Sequence, residues 1–227
     1  MNIISIIPAR GGSKGIPLKN LKILCGKSLL DYSINASLKS KFIKRTFVSS
    51  DHSKILNRAQ KLGAEIITRP RNISTDKSTT ESSIKHCLNH LKSKENYTPD
   101  VIVLLQNTSP LRNVKHIDGS IRFFLKSHLD SVLSGYKSHH FLWKTKNHKL
   151  LPVNYNPYAR PMRQEFNNQY IENGAIYITK FSSFCKSQCR ISGNIGLYEM
   201  PEEISIDIDT REDFELVGKM LKKQKQN

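Results

Sequence analysis

The sequence predicts an α/β protein with a doubly wound, mainly parallel sheet. Short apolar runs alternate with segments of helical periodicity through residues 1–134, which is the βαβα order typical of this class. The most continuously apolar run, residues 101–105, is typical of a central parallel strand that is buried on both faces.

Each predicted strand is a short apolar run that ends at proline, glycine or polar residues. These runs lie at residues 3–7, 45–49, 65–68, 101–105, 131–134 and 204–208, and regular structure is also expected at 170–179. The helices are predicted at 29–38, 51–62, 78–90 and 114–126, with a last helix after residue 210. Asp51 and Thr210 are the expected N-caps of two of them, and Ser78 with Glu81 has the spacing of a capping box.

Residues 135–169 break the pattern. The segment contains Trp143 and three prolines and has no clear periodicity. Its aromatic content favours a small protruding subdomain, and a disordered loop is the alternative. We therefore expect one main domain, 1–134 and 170–227, with 135–169 inserted in it.

The charge balance is strongly basic, with 36 Lys and Arg against 19 Asp and Glu and a net charge of +17 among 227 residues. A nucleic-acid-binding module is one interpretation. However, the lysines are scattered and do not alternate with aromatic residues, so we expect a solvated surface and no nucleic-acid partner.

The apolar runs are too short to span a bilayer, and the N-terminal one lacks the flanks of a signal peptide. We therefore expect a cytoplasmic protein without a membrane partner. The four cysteines form no CxxC pair, which indicates ordinary thiols rather than a zinc site or a disulfide framework.

Cations and glycines crowd the loop after the first strand. They are Arg10, Gly11, Gly12, Lys14, Gly15 and Lys19. Glycines allow backbone N–H groups to close around phosphate oxygens, and the cations neutralise their charge. Neither GxxxxGK[ST] nor GxGxxG is present, and a flexible turn with incidental cations is the alternative. The pattern favours phosphate binding.

Two later segments also place polar groups where a strand ends. Gln106, Ser109 and Arg112 follow the central strand and suit a polar ligand. Asp207 and Asp209 are two apart, so on a strand both carboxylates would point the same way and could share a hard divalent cation such as Mg²⁺. A helix-capping loop with Asp209 in solvent is the other interpretation.

Five stretches in this order resemble the acylneuraminate cytidylyltransferase family, which makes CMP-sialic acids. They are residues 6–15, 105–112, 163–164, 173–178 and 205–210. The resemblance covers nearly the whole chain. It implies a Rossmann-like nucleotidyltransferase fold and a Mg²⁺-dependent enzyme. This enzyme would join CTP to a nine-carbon α-keto sugar acid with release of pyrophosphate.

The resemblance also assigns roles to particular residues. Nucleotide contacts fall on Arg10, Ser13, Lys14, Lys19, Asn20, Arg69 and Thr80. Sugar-acid contacts fall on Gln106, Lys144, Arg163 and Asn173. The metal-binding pair corresponds to Asp207 and Asp209, which with Lys19 form the expected catalytic set. The irregular segment matches an arm that forms a homodimer and helps to complete the partner's site.

The sequence departs from the family at two places. Asn107 stands where many relatives have proline, and Ile171-Glu172 replace an Arg-Pro pair of some sialate-specific members. The second departure leaves legionaminate or another nonulosonate open beside N-acetylneuraminate. A cytidylyltransferase for the eight-carbon acid Kdo or for a polyol phosphate is the enzymatic alternative, against which the stretch 173–177 and the Asp-x-Asp end argue.

Overall fold

A computed structural model describes residues 1–12, 15–166 and 169–226. Its strands are β1 (Ile3–Pro8), β2 (Ile23–Leu24), β3 (Lys27–Ser28), β4 (Arg45–Ser50), β5 (Glu65–Thr68), β6 (Val101–Leu105), β7 (Ser131–Lys137), β8 (Trp143–Lys146), β9 (Lys149–Pro152), β10 (Tyr170–Lys180) and β11 (Ile195–Glu199). Its α-helices are α1 (Leu29–Leu38), α2 (Ser53–Lys61), α3 (Thr80–Glu95), α4 (Val114–Lys126), α5 (Phe181–Ser187) and α6 (Arg211–Gln226).

Seven strands form one sheet in the order β11-β7-β10-β6-β1-β4-β5. β1 pairs in parallel with β4 and β6, β4 with β5, and β7 with β11, whereas β10 runs antiparallel to β6 and β7. The sheet is therefore mainly parallel, and the predicted fold class is confirmed.

Alternate residues of the central strands supply the two faces of the core. Ile3 and Ile7 of β1 pack in the cluster that includes residues of α1 and α4. Ile4 and Ile6 pack on the other face, in a cluster with residues of α3 and α5. Because the strand is covered on both faces, its sequence is apolar at nearly every position, as the pattern predicted.

The predicted helices form, but two of their caps differ from expectation. α2 is capped by His52, whose Nδ1 accepts from Lys54 N at 3.2 Å, and not by Asp51. α3 is capped by Thr79, whose Oγ1 accepts from Ser82 N at 3.2 Å, and not by the predicted capping box of Ser78 and Glu81. At α6, Thr210 Oγ1 accepts from Asp213 N at 3.1 Å, and that cap is confirmed.

The strand predicted at 204–208 is wrong. The segment has a 3₁₀ turn at Glu202–Ile204 followed by irregular chain, and no strand of the described residues pairs with it. Residues 204–207 are all half-buried; only at its end does burial change sharply, from buried Ile208, which packs in the cluster that contains Ile16, to exposed Asp209. Backbone N–H of Ile208 donates to Thr108 O at 2.9 Å, in place of a strand ladder.

The sequence did not predict α5, the edge strand β11, or the β2–β3 and β8–β9 hairpins. β11 is only half-buried and carries little apolar patterning, as edge strands often do. Within the described chain, none of the helices is both apolar and long enough to cross a membrane.

The segment between β7 and β10 forms the β8–β9 hairpin and irregular chain. Phe141 lies 4.5 Å from Tyr155 and 4.6 Å from Phe166, measured between ring centroids, and Arg160 covers the Phe141 ring. Around this aromatic cluster several apolar side chains are exposed, including those of Leu150, Val153, Tyr158 and Met162. The boundaries at 134 and 170 stay a prediction; β7 itself continues to Lys137.

Candidate active site

A cleft of about 400 Å³ opens at the carboxyl ends of β1, β5 and β6. The predicted site residues that line it are Arg10, Lys19, Asn20, Arg69, Thr80, Gln106 and Asp209. Ser13 and Lys14 lie outside the described residues. The carboxyl ends of neighbouring parallel strands meet at one edge of the sheet, which is why segments far apart in sequence share this cleft.

Lys19 joins the first loop to the acidic segment near the C-terminus. Its Nζ donates to the carbonyl oxygen of Ile208 at 2.6 Å and lies 3.2 Å from Asp209 Oδ1. Gly15 also lies against this segment: a Cβ at position 15 would be only 2.7 Å from the carbonyl oxygen of Asp209. The cationic turn and the acidic segment, about 190 residues apart, are therefore in direct contact.

Two residues at the start of the first loop, Arg10 and Gly11, are held by acidic side chains. The guanidinium of Arg10 lies 2.8 Å from Asp76 Oδ1 and donates to the carbonyl oxygen of Thr75 at 2.9 Å. Backbone N–H of Gly11 donates to Asp51 Oδ1 at 2.9 Å. The loop is thus anchored on both sides of the cleft before it meets any ligand.

Asp207 and Asp209 differ in exposure. Asp209 is exposed, whereas Asp207 is half-buried with Ser109 Oγ 3.5 Å from its Oδ1. Burial raises the pKa of the Asp207 carboxyl, and the charge of Asp209 raises it further. The hydroxyl of Thr108 and the ammonium of Lys19 act in the opposite direction. The two carboxylates are therefore electrostatically coupled, and Lys19 faces both.

Arg69 is a buried cation whose hydrogen-bonding capacity is mostly unused. Its Nη1 donates to the hydroxyl of Ser83, but Nε and Nη2 have no partner among the described residues. Burial lowers the pKa of Arg69, although nearby Asp51 opposes this. Two nitrogens with three N–H groups between them, on a buried guanidinium at the wall of a cleft, suit an acceptor on a bound ligand.

Gln106 borders the cleft and depends on two supports. Gly174 has φ +70°, and a Cβ there would lie 2.7 Å from Gln106 Oε1, so the glycine leaves room for the amide. Arg112 is fully buried and donates through Nη2 to the carbonyl oxygen of Gln106 at 3.1 Å and to Ser33 Oγ at 2.8 Å. Burial lowers the pKa of Arg112 to about 10. Arg112 therefore supports the motif from inside rather than facing the cleft.

Three predicted sugar-binding residues do not line this cleft. Lys144 lies on β8 and Arg163 in the following irregular chain, and both are exposed. The amide of Asn173 is occupied inside the protein: its Oδ1 accepts from Ser134 Oγ at 2.6 Å and its Nδ2 donates to Ser205 Oγ at 2.9 Å. Asn173 therefore holds the turn beside Gly174 in its own chain. Of the four predicted sugar-acid contacts, Gln106 is the one that lines this cleft.

Comparison with known proteins gives the family. The family model described as cytidylyltransferase matches residues 4–227, nearly the whole chain. The chain belongs to the cytidylyltransferase family.

Two curated relatives of this cytidylyltransferase carry more specific names. It is 35% identical over 217 residues to N-acylneuraminate cytidylyltransferase A from Danio rerio, covering 94% of this chain and 49% of that protein. It is 32% identical over 219 residues to N-acylneuraminate cytidylyltransferase from Streptococcus agalactiae serotype III, covering 94% of this chain and 52% of that protein. The chain thus spans about half the length of the curated relatives it matches.

Solved structures agree with the fold of the cytidylyltransferase. CMP:2-keto-3-deoxy-manno-octonic acid synthetase complexed with CTP superposes with a TM-score of 0.71 at 17% identity, covering 99% of this chain and all of that one. A 4-diphosphocytidyl-2C-methyl-D-erythritol synthase from Anaerococcus prevotii gives a TM-score of 0.68 at 14% identity, covering 97% and 98%. At these identities the likeness establishes the architecture.

Three cleft or loop residues of the cytidylyltransferase escaped sequence reasoning. Asp51 was interpreted as a helix cap, although its place directly after β4 also marks the carboxyl edge of the sheet. Asn107 drew notice only as a departure from the family. Asp76 could not be identified from the sequence, because it lies in an irregular loop, 66 residues along the chain from its partner Arg10.

The donor set near Asp207 and Asp209 fits a hard divalent cation. Carboxylate oxygens are the ligands that Mg²⁺ prefers, and it usually keeps water and substrate phosphate oxygens as its other ligands. In the part of the chain that the structure describes, no group of three or more His, Cys, Asp or Glu could hold a metal by itself. The two aspartates of the cytidylyltransferase could therefore hold Mg²⁺ only together with such outside ligands.

Proposed function

We propose that the protein transfers the cytidylyl group of CTP to the anomeric hydroxyl of a nine-carbon α-keto sugar acid. A bond forms between that oxygen and the α-phosphorus, the bond to the β-phosphate oxygen breaks, and pyrophosphate leaves with the hydroxyl proton passing to solvent or a nearby base. The names of the curated relatives support the sugar class.

The observation that carries the proposal is the meeting of Lys19 with the Asp207–Asp209 segment at the mouth of the cleft. Transfer of a phosphoryl-type group depends chiefly on alignment and on neutralising the charge of the phosphates. Cations for the leaving group and carboxylates for a metal must therefore lie side by side. The salt bridge between Lys19 and Asp209 supports this arrangement.

The cations of the first loop take the triphosphate. Arg10 and Lys19, with Ser13 and Lys14, bind its oxygens, and Lys19 stabilises the departing pyrophosphate. The contacts of Arg10 with Asp76 and Thr75 both use Nη1, so Arg10 can offer its other guanidinium N–H groups to a phosphate while Asp76 holds it in place.

The opposite wall of the cleft takes the base and the acid. Arg69 offers Nε and Nη2 to the acceptors of cytosine, with Asn20 and Thr80 beside the nucleotide. Gln106 contacts the sugar acid. Mg²⁺ on Asp207 and Asp209, when bound, would lower the pKa of the attacking hydroxyl and neutralise the α-phosphate.

We further propose that the protein acts as a homodimer. The exposed apolar side chains of 135–169 surround an aromatic cluster, and burying them against a second copy removes apolar surface from water. Lys144 and Arg163 lie on this same segment and outside the cleft of their own chain. Their carboxylate-binding role therefore requires the cleft of the partner.

The test is a pyrophosphate-release assay with CTP, Mg²⁺ and a panel of N-acetylneuraminate, legionaminate and Kdo. We expect turnover with at least one nine-carbon acid and little with Kdo. Asp209→Asn should remove activity while the fold is retained, because this side chain is exposed. Turnover with Kdo alone, or with no acid of the panel, contradicts the proposal.

A further inference from the structure

Asn107 connects two strand ends at the floor of the cleft. It lines the cleft directly after Gln106 and is only 3% exposed. Its Nδ2 donates to the carbonyl oxygen of Pro8 at 3.3 Å and to Asn20 Oδ1 at 3.1 Å. One carboxamide thus ties the end of β6 to the end of β1 and to a residue of the nucleotide-binding set.

Asn20 is held at both ends of its own carboxamide. Its Oδ1 accepts from Asn107, and its Nδ2 donates to the carbonyl oxygen of Arg10 at 2.9 Å. Asn20 is itself only 8% exposed. A chain of hydrogen bonds therefore runs from Asn107 through Asn20 to the backbone of the phosphate-binding loop.

The orientations of these two carboxamides follow from which of their atoms can donate a hydrogen bond. If the Asn107 amide were turned over, its oxygen would face two acceptors, the carbonyl of Pro8 and Asn20 Oδ1, with no proton between them. The orientation of Asn107 consequently sets that of Asn20. The sequence resemblance indicates proline at this position in many relatives, and proline has no side-chain donor that could play this part.

We propose that Asn107 is a positioning residue for the nucleotide, acting through Asn20. It holds Asn20 in the orientation that CTP meets and fixes the start of the phosphate-binding loop relative to β6. The identity of the ligand rests on the proposed function. The role of Asn107 rests on the hydrogen bonds themselves.

A double-mutant cycle tests this, with the dissociation constant for CTP measured by calorimetry in the absence of sugar acid. Asn107→Ala should weaken CTP binding by roughly five- to tenfold, the value of one to two lost hydrogen bonds. Asn20→Ala should weaken it at least as much. The double variant should lose less CTP affinity than the two single losses combined, because the hydrogen bond between Asn107 and Asn20 is already absent in either single variant.

Asn113→Ala is the matched control. Asn113 also uses its carboxamide in hydrogen bonds, but at the exposed start of α4 and outside the cleft. Its removal should lower stability without changing CTP affinity. Asn107→Ser, which keeps one hydroxyl donor, should recover part of the affinity lost in Asn107→Ala and takes its place in the cycle if the alanine variant does not fold.

Wild-type affinity in Asn107→Ala, or losses that simply add in the double variant, overturns the inference while leaving the proposed function intact. Failure of the wild-type protein to bind CTP is a different result, because it removes the proposed function.

Discussion

Replacing Arg69 should separate ligand binding from stability. Arg69 is 5% exposed, is not in a salt bridge with any described residue, and leaves Nε and Nη2 without partners among those residues. Arg69→Met keeps an unbranched side chain of similar length and removes both the charge and the donors. The cleft then loses the groups that we assign to cytosine.

The magnitude follows from the two free donors. A hydrogen bond from a charged group contributes about 1.5–3 kcal/mol, and each 1.4 kcal/mol is about tenfold in affinity. Two such bonds predict a loss in CTP affinity on the order of 100-fold or more. In contrast, replacing a buried charge that has no salt-bridge partner with an apolar group also removes the cost of keeping that charge away from water, so the unliganded protein should not lose stability.

The assays are calorimetry with CTP and urea denaturation of the unliganded protein. Arg71→Met is the control, since Arg71 is exposed and only two residues away. It should leave both measurements near the wild-type values. The reasoning is refuted if Arg69→Met binds CTP as tightly as the wild-type protein, or if it unfolds far more easily.

Three other changes have definite expected results. Lys19→Ala should lower kcat by about 10²–10³-fold, the effect of removing one preorganised donor, whereas exposed Lys22→Ala should not; equal rates for the two variants would exclude Lys19 from the site. Burial by itself would raise the pKa of Asp31, but hydrogen bonds from Arg58 and then Ser28 lower it. The pair of Asp31 and Arg58 therefore stabilises the fold above the unfolded-state pKa of Asp31. This stabilisation is lost as the pH falls through the lowered value. Arg58→Gln should therefore lower the free energy of unfolding, measured by urea denaturation, by about 1–3 kcal/mol at pH 7 and by progressively less in strong acid. A loss of stability that does not depend on pH would contradict this. Leu150→Lys, on the exposed hairpin, should shift sedimentation from dimer to monomer, and an unchanged dimer would move the interface elsewhere.

The sheet could be predicted because the pattern of apolar residues in each strand reflects which of its faces are buried. β1 and β6 are apolar at successive positions since helices cover both faces. The segment 204–208 shows the limit of this reasoning. Its apolar residues alternate with polar ones in the sequence, but residues 204–207 are all half-buried, and such a pattern does not show whether a neighbouring strand supplies hydrogen bonds.

The candidate site also has a part that the sequence predicts and a part that it does not. The rule that ligands gather at the carboxyl ends of parallel strands brought Arg10, Lys19 and Gln106 to one cleft, as the structure has them. Long-range side-chain pairings could not be predicted, because the partner depends on the folded path of two loops. Asp51 with Gly11 and Asn107 with Asn20 are of this kind.

We propose that CTP is split at its α-phosphorus in the cleft where Lys19 contacts Ile208 and Asp209, the segment that also carries Asp207. Phosphorus NMR of a reaction containing CTP, Mg²⁺ and the accepted sugar acid tests it most directly. We predict one new phosphodiester signal for each pyrophosphate formed, and neither product with Asp207→Asn. Release of inorganic phosphate with CDP, or unchanged CTP with every nine-carbon acid supplied, would contradict the account.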